Sequence, residues 1–382
     1  MSKKINLQKI EILLWQKLFS FLEQEYLLEK NVLNNNSFLQ QKIKEIIKQE
    51  ELVFPESILN KLTTNVIQRI NGLGPLQDLL DDNDISEIMI NGANNIFVEK
   101  NGVLKKTDLS FYSENELLNV INKIVSRVGR RIDKSSPMVD ARLEDGSRVN
   151  AIIPPLSLTG SVLTIRKFSK EPLTLDNLLA LGSIDKKTKQ ILKEAIKNKE
   201  NIIISGGTGT GKTSLLNALA QYINNTQRII TIEDSAELQL KHNHLISLES
   251  RPANMEGKGE IPIRDLVKNA LRMRPDRIIV GEIRGVETID MLQAMNTGHQ
   301  GSLTTVHANA PLEALLRIET MVLMGDINLP LRAIRQQVIG AITLIIQLER
   351  RANGQRKVSQ ISRLISDTTS RERGEYHLEN LL

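Results

Sequence analysis

The feature that most constrains this chain is an aliphatic run that leads directly into a glycine-rich loop. The run NIIIS, residues 201–205, has the composition of a short buried strand and continues into GGTGTGKTS, residues 206–214. The loop has the G-x-x-x-x-G-K-T spacing of a phosphate loop, in which backbone N–H groups converge on phosphate oxygens and the following helix adds its positive N-terminal end. The predicted nucleotide-binding residues are Gly206, Gly207, Thr208, Gly209, Thr210, Gly211, Lys212, Thr213 and Ser214.

Two side chains of this loop carry the chemistry of a nucleoside triphosphate site. Lys212 is expected to reach the β- and γ-phosphates, and the hydroxyl of Thr213 is expected to bind Mg²⁺. The segment TSLLNALAQYI that follows has the apolar spacing of a helix, as the pattern requires. The sequence therefore predicts a site for ATP and a magnesium ion.

The second half of the chain alternates predicted helices and strands. From Lys186 onward the order is KKTKQILKEAIKN, NIIISGG, TSLLNALAQYI, RIITIED and RIIVGE. Alternation of this kind predicts an α/β fold with a parallel sheet and helices on both faces.

The strand RIIV, residues 277–280, raises a question because a glutamate follows it. A phosphate-loop fold needs a second strand, which we expect to be adjacent to the first, that brings a carboxylate to the metal and the attacking water. Gly281 occupies the position where aspartate is usual, and Glu282 comes one residue later. We therefore expect Glu282 to act on the Mg²⁺ shell or its water, with Thr213 as the only direct protein ligand. The alternative is a solvated residue at the end of a strand.

A further strand, RIITIE, ends on Glu233 and is followed by Asp234. Two acids near one nucleotide suit a division of labour, in which one orients metal-bound water and the other takes the proton of the attacking water. We predict Glu233 as the second catalytic acid. The alternative is that Glu233 caps a helix or a turn.

Two histidines lie in TGHQGSLTTVHANA, residues 297–310. Zinc binding is not expected, since neither the spacing nor the companion ligands fit. His299 and His307 are candidate catalytic residues, because a loop histidine among glycines could contact the γ-phosphate or a neighbouring subunit. A purely structural role is the alternative.

The first half of the chain has a different pattern of apolar and polar residues. Alternating apolar and polar residues surround Asn-Gly pairs, including Asn101 and Gly102, which together form a strong hairpin signal. A stretch with Pro172 and Gly182 indicates a connection between domains. The predicted organisation is a helical extension at 1–70, an α+β domain at 71–168, a linker at 169–185, and an α/β domain with a helical C-terminal part at 186–382.

Composition limits the compartment and the partners. The 382 residues include no cysteine, which excludes disulfides and thiolate zinc sites and favours the cytoplasm. A formal charge of +5 permits attraction to anionic lipid or nucleic acid, but the charges are interspersed and select no partner. No apolar run is long and uninterrupted enough to predict a membrane-spanning helix.

Four motifs occur in an order that resembles a known family. GGTGTGKT, TIEDSAEL, RMRPDRIIVGEIRG and TGHQGSLTTVHAN resemble the Walker A motif, Asp box, Walker B motif and His box of the type II and type IV secretion ATPases. The stretch GRRIDKSSPMVDARLEDGSRVNAIIPP is most similar to the CpaF-like or TadA-like subgroup that assembles tight-adherence (Flp) pili. The Gly281-Glu282 pair is the usual Walker B form of this family.

The resemblance implies a RecA-like ATPase domain behind a PAS-like domain, assembled as a homohexamer at the cytoplasmic face of the inner membrane beside platform proteins. It also implies that arginines of the first domain contact the nucleotide, and Arg148 and Arg166 match these positions. An arginine so placed stabilises charge on the transferring phosphoryl group. Each could instead form a surface ion pair. Some branches of the family carry a four-cysteine zinc module, which this chain lacks.

The expected function is thus an ATP-hydrolysing motor for pilus assembly or protein secretion. A type IV secretion traffic ATPase is the alternative within the family. A nucleic-acid motor of the RecA or helicase kind is less favoured, since aromatic residues make up only 3% of the chain and offer few platforms for base stacking. No nucleic-acid partner is therefore expected. An LSGGQ-like signature of transporter subunits is not found in the sequence.

Overall fold

The structure, a computed structural model, describes most of the chain. The described residues are 7–25, 35–100, 102–168, 172–251, 253, 258–325 and 329–382. They belong to two compact units, Met1–Lys170 and Glu171–Leu382. Within these described ranges, no helix combines the length and the apolar character needed to cross a bilayer.

The first unit begins with helices whose apolar faces pack against one another. They are α1 (Leu7–Gln24), α2 (Asn36–Gln49) and α3 (Glu56–Asn71). Pro55 precedes α3, and its restricted backbone suits a helix start. Trp15 stacks on Phe19 with 4.7 Å between ring centroids, and both side chains are buried in the core of these helices.

An antiparallel sheet and its helices complete the first unit. Its elements are α4 (Leu76–Asp81), β1 (Ile85–Asn91), β2 (Ile96–Lys100), β3 (Val103–Lys106), α5 (Glu114–Arg127), β4 (Met138–Arg142), β5 (Arg148–Ile152) and β6 (Val162–Arg166). The strands follow the order β3-β2-β1-β6-β5-β4. In the hairpin between β2 and β3, Gly102 has a φ of +76°, whereas Asn101 lies outside the described residues.

The second unit alternates helices and strands. Its elements are α6 (Leu175–Ala180), α7 (Lys186–Lys197), β7 (Ile202–Gly206), α8 (Lys212–Ala220), β8 (Ile229–Glu233), β9 (Leu245–Glu249), α9 (Ile263–Ala270), β10 (Arg277–Val280), α10 (Glu287–Asn296), β11 (Leu303–Val306), α11 (Pro311–Leu323), α12 (Leu331–Ala341), β12 (Leu344–Arg350), β13 (Arg356–Leu364), α13 (Thr368–Arg373) and β14 (Leu378–Asn380).

The strands of the second unit form one sheet in the order β14-β13-β12-β7-β11-β10-β8-β9. All pairs from β12 to β9 are parallel, and only β13 and β14 pair antiparallel. The prediction that β10 lies next to β7 is wrong, because β11 is inserted between them and pairs with both. A crossover connection lets a later strand occupy that place.

Helices cover both faces of this sheet. Ile203 and Val280 point into a core formed with α9, α10, α11 and α12, whereas Ile202 and Ile279 point into a core formed with α6, α7 and α8. Successive strand residues face opposite sides, so a continuous aliphatic run fills both cores at once. The predicted α/β fold is confirmed.

Two predictions about segments need correction. Leu175 and Leu178 of α6 are buried in the second core, so the segment from residue 172 is part of the second unit rather than a linker; residues 169–171 lie outside the described residues. The C-terminal part is not simply helical, since β12, β13 and β14 follow α12 and extend the sheet. A short apolar run does not distinguish a buried strand from a helix.

Candidate active site

Four neighbouring parallel strands bring their carboxyl ends to one edge of the large sheet. Their last residues are Gly206 of β7, Val306 of β11, Val280 of β10 and Glu233 of β8. Loops that follow parallel strands lie along that edge, where ligands of open α/β sheets bind. The phosphate loop, the His box segment and the Walker B glutamate therefore share one edge.

The phosphate loop follows β7 and passes directly into α8. Gly209 and Gly211 have φ values of +71° and +93°, in the left-handed region that favours glycine. Gly211 caps α8, and Lys212 and Thr213 begin its first turn. The helix therefore presents its N-terminal N–H groups and its positive end to the loop, an arrangement that fits a bound phosphate. The Thr213 hydroxyl supplies an oxygen of the kind that Mg²⁺ prefers.

A series of contacts connects three of the predicted site residues. The Nζ atom of the buried Lys212 donates to the carbonyl oxygens of Gly206 at 3.0 Å and Gly207 at 2.8 Å. It also lies 3.4 Å from Nδ1 of His307. The other ring nitrogen of His307, Nε2, lies 3.6 Å from Oε2 of Glu282. The structure thus brings together the phosphate loop and the segments that follow β11 and β10.

The contacts of His307 define its protonation. An ammonium group only donates, so Nδ1 accepts from Lys212 and the proton is assigned to Nε2, which faces Glu282. Burial lowers the pKa of His307 below its ordinary 6.5, and the charge of Lys212 lowers it further, against the opposing effect of Glu282. Burial also lowers the pKa of Lys212. His307 is therefore neutral at pH 7.

Glu282 has a second partner that the sequence analysis did not single out. Arg284 donates to Oε1 of Glu282, and its Nη1 lies 3.9 Å from Oδ2 of Asp234. The hydrogen bond to Glu282 raises the pKa of Arg284. The backbone N–H of Arg284 is held by Oε1 of Glu287 at 2.6 Å. The carboxylate of Glu282 is thereby fixed between a neutral histidine and an arginine.

Glu233 points into a turn. Its Oε1 accepts hydrogen bonds from the N–H of Glu237 at 2.9 Å and of Leu238 at 3.1 Å, and the residue is only 4% exposed. These bonds are those of the turn-cap alternative. A catalytic role for Glu233 stays a prediction.

The position of Glu233 also explains the glycine that precedes Glu282. A Cβ atom at Gly281 would lie 2.9 Å from Cγ of Glu233 and 3.3 Å from its Oε1. Real Cβ atoms essentially never come so close to a neighbour. The usual aspartate has no room here, and the acid of β10 comes one residue later.

The structure does not bring His299 to this edge. His299 precedes β11 and His307 follows it, so the two histidines lie at opposite edges of the sheet, and β11 alone spans about 13 Å. A cleft of about 510 Å³ at the amino edge is lined by Asn296, Gln300 and Gln337. Within this chain, His299 therefore does not share a site with His307, because β11 lies between them. Contact of His299 with a neighbouring subunit stays a prediction.

Side chains from adjacent strands hold the His box segment in place. Ser205 Oγ, at 3.4 Å, and Gln347 Nε2, at 3.2 Å, both donate to the carbonyl oxygen of Ala308. Thr305 Oγ1 donates to the carbonyl oxygen of Gly281 at 2.9 Å. Sequence reasoning missed Gln347, although one amide inside the aliphatic strand LIIQL was a signal for a buried polar contact.

A cleft of about 750 Å³ opens beside these contacts. Six of the residues that line it are Gly207, Thr208, Arg284, His307, Asn309 and Arg317. The cleft has the size of a small-ligand site, and its arginines suit an anionic ligand.

Arg148 and Arg166 belong to the first unit. They lie opposite each other on the antiparallel strands β5 and β6, and Arg166 Nε donates to Oε1 of Glu87 at 2.8 Å. Their contact with a nucleotide stays a prediction.

A parallel sheet with a phosphate loop at its centre, and with a glutamate and a histidine at the same edge, defines a RecA-like nucleotide-binding fold. The family model for type II/IV secretion system proteins matches residues 69–377. The chain belongs to this family. The match begins near the C-terminal end of α3, so most of the helical extension lies outside it.

Three comparisons illustrate the relationship. A Mycobacterium tuberculosis protein named for conjugal transfer is 34% identical over 299 residues, which cover 77% of this chain and 84% of the relative. The conjugal transfer protein TrbB of Rhizobium radiobacter is 32% identical over 284 residues, covering 72% and 83%. The crystal structure of the pilus retraction motor PilT with bound ADP has a TM-score of 0.56 at 22% identity, covering 78% of this chain and 84% of PilT. This last likeness concerns the fold.

Proposed function

We propose that this protein is an ATP-hydrolysing motor of a secretion system. The observation that carries the proposal is the series of contacts from Lys212 through His307 to Glu282. These contacts connect Lys212, which is expected to bind phosphate, with Glu282, whose carboxylate is suited to act on water. Membership of the secretion-system family supports the same activity.

Each residue of the series has a chemical task. The N–H groups of the phosphate loop and the ammonium of Lys212 bind the phosphates of ATP. Glu282 orients the attacking water and accepts its proton, while the neutral His307 donates toward Glu282 and restrains it. Thr213 and Glu282 would hold Mg²⁺, directly or through its water, and the ion would supply positive charge that offsets the phosphates.

The experiment that tests this proposal compares three variants of the full chain. Lys212→Ala should weaken nucleotide binding, because it removes the charge on the phosphates. Glu282→Gln should keep ATP bound and slow hydrolysis by a factor of roughly 10²–10⁴, the usual contribution of a general base. Glu194→Gln, on the exposed surface of α7, is the matched control and should resemble the wild type.

Nucleotide affinity is measured with a fluorescent ADP analogue, and turnover by phosphate release. Wild-type turnover in Glu282→Gln would remove that residue from the mechanism. A wild-type chain that neither binds ADP nor hydrolyses ATP would overturn the proposed function.

The motor is proposed to act as a homohexamer at the cytoplasmic face of the inner membrane, in contact with platform proteins and anionic lipid. Arg148 and Arg166 are proposed to contact the γ-phosphate. The net charge of +5 supports attraction to an anionic surface. Anionic liposomes should raise turnover, and strong salt-sensitive stimulation by single-stranded DNA would favour a helicase instead.

Two biological roles fit this motor. The stretch at residues 129–155 supports assembly of a tight-adherence pilus, whereas the names of the two relatives support a type IV traffic ATPase in conjugal transfer. Deleting the gene in its source organism, with pili scored by microscopy and DNA transfer scored by mating, separates the two roles. Loss of pili alone indicates the first, and loss of transfer alone indicates the second.

A further inference from the structure

The hairpin between β12 and β13 places two arginines against the phosphate loop. Arg350 ends β12 and Arg356 begins β13, and the antiparallel register sets them directly opposite each other. Nε of Arg356 donates to the carbonyl oxygen of Gly209 at 2.9 Å. Nη1 of Arg350 lies 3.6 Å from the position that a Cβ would take on the same glycine. We call Arg350 and Arg356 the hairpin arginines.

The contact of Arg356 fixes the orientation of one peptide unit in the loop. In a trans peptide, the C=O of Gly209 and the N–H of Thr210 point in opposite directions. Holding the carbonyl toward the hairpin therefore turns the N–H of Thr210 toward the other side of the loop. In a phosphate loop, that N–H is one of the donors that converge on phosphate oxygens.

The charges of the hairpin arginines also favour an anionic ligand at the phosphate loop. Like charges directly opposite each other on paired strands are destabilising. Arg350 and Arg356 form such a pair beside the phosphate loop. Within the part of the chain that the structure describes, the Nη groups of Arg356 make no hydrogen bond to protein. A polyphosphate bound at the loop would attract both positive side chains.

We propose that Arg356 is a positioning residue for the nucleotide and that the hairpin arginines form a second cationic element of its binding site. The ligand class is a nucleoside di- or triphosphate, and the inference rests on the proposed ATP site. Because the contact between Arg356 and Gly209 does not involve the γ-phosphate, it strengthens the binding of both ADP and ATP relative to a chain without it. Turnover at saturating ATP is left nearly unchanged, since Arg356 acts through Gly209 and not on the reacting atoms.

The test uses the full chain with four substitutions. Arg356→Gln removes the charge and the hydrogen bond, Arg356→Lys keeps the charge alone, and Arg350→Gln removes the second charge without touching the Gly209 contact. Arg351→Gln is the matched control, because Arg351 lies in the same hairpin and pairs with Glu349 at 3.2 Å. The probe is a fluorescent ADP analogue, and kcat and KM are measured for ATP at two salt concentrations.

The expected result is a split between binding and turnover. Arg356→Gln should raise the Kd for ADP and the KM for ATP about tenfold, as loss of one charge-assisted hydrogen bond does. Arg356→Lys should recover part of this loss, Arg350→Gln should show a smaller loss, and all differences in Kd should shrink at high salt. Arg351→Gln should match the wild type.

The outcomes separate this inference from the proposed function. If the wild type binds ADP and both Arg356→Gln and Arg350→Gln bind it equally well, the hairpin proposal fails and the ATP site stands. If the wild type does not bind ADP, the proposed function fails first. Arg356→Gln cannot be used if its melting temperature shows that it does not fold. In that case, a wild-type Kd for ADP in Arg350→Gln refutes the proposal that the hairpin arginines form a cationic element of the site.

Discussion

The substitution Gly281→Ala tests why the acid of β10 comes one residue later than usual. An added Cβ would lie 2.9 Å from Cγ of Glu233, which is itself 4% exposed and cannot move into solvent without leaving its turn. The carboxylate would have to release the N–H groups of Glu237 and Leu238, which it holds at 2.9 and 3.1 Å. The perturbation at Gly281 should therefore be detected at amides that lie 43 and 44 residues away in the sequence.

The size of the effect follows from those two hydrogen bonds. Hydrogen bonds to a charged group contribute about 1.5–3 kcal/mol net. Losing that amount should make the amides of Glu237 and Leu238 exchange roughly 10- to 150-fold faster. The assay is hydrogen exchange of the peptide that contains residues 235–240, read by mass spectrometry.

Two companion variants make the test specific. Gly207→Ala is the control for exchange, since its Cβ would meet only Cγ2 of Thr210, at 3.9 Å. The double variant Gly281→Ala with Glu233→Ala should exchange no faster than Glu233→Ala alone, because the clash is gone once the Glu233 side chain is removed. Unchanged exchange of the 235–240 peptide in Gly281→Ala would refute the reasoning.

Two further predictions concern His307 and the arginines of the first unit. Burial holds the pKa of His307 below 6.5 in the fold, so the unfolded chain binds more protons as pH falls through 6.5. The free energy of unfolding should therefore decrease with falling pH in that range, and His307→Gln should flatten the decrease in urea titrations; an identical slope in both proteins would contradict the assignment. Arg148→Gln and Arg166→Gln should keep ADP binding nearly intact and lower ATP turnover, because the proposed contact is to the γ-phosphate. Arg127→Gln, an exposed arginine of α5, is their control, and wild-type turnover in both variants would place the γ-phosphate contact elsewhere.

The parts of the fold that depend on neighbouring residues in the sequence could be predicted. The aliphatic run of β7, the glycine spacing of the phosphate loop and the apolar spacing of α8 are local patterns, so the α/β fold followed from them. The order of the strands is not local. The insertion of β11 between β7 and β10 depends on crossover connections and on packing, which no window of the sequence records.

The candidate site likewise has features that the sequence predicts and features that only the fold shows. Residue types indicated that Lys212, His307 and Glu282 carry chemistry, but only the fold brings them into one series of contacts. The direction of a side chain at the end of a strand is decided by its surroundings, and the carboxylate of Glu233 accordingly faces a turn. The hairpin arginines could not be found from the sequence, because Gly209 and Arg356 are 147 residues apart in the sequence.

The ammonium of Lys212 shows how these contacts limit the way in which a nucleotide enters. A lysine has three N–H donors, and in this structure its neighbours are two loop carbonyls, at 3.0 and 2.8 Å, and Nδ1 of His307 at 3.4 Å. A phosphate oxygen that binds Lys212 must replace one of these acceptors. The contact with His307 is the longest of the three and therefore the least costly to give up. Replacing it would free Nδ1 of His307 while Nε2 still faces Glu282. The binding of phosphate at the loop would therefore change the surroundings of the Glu282 carboxylate through His307.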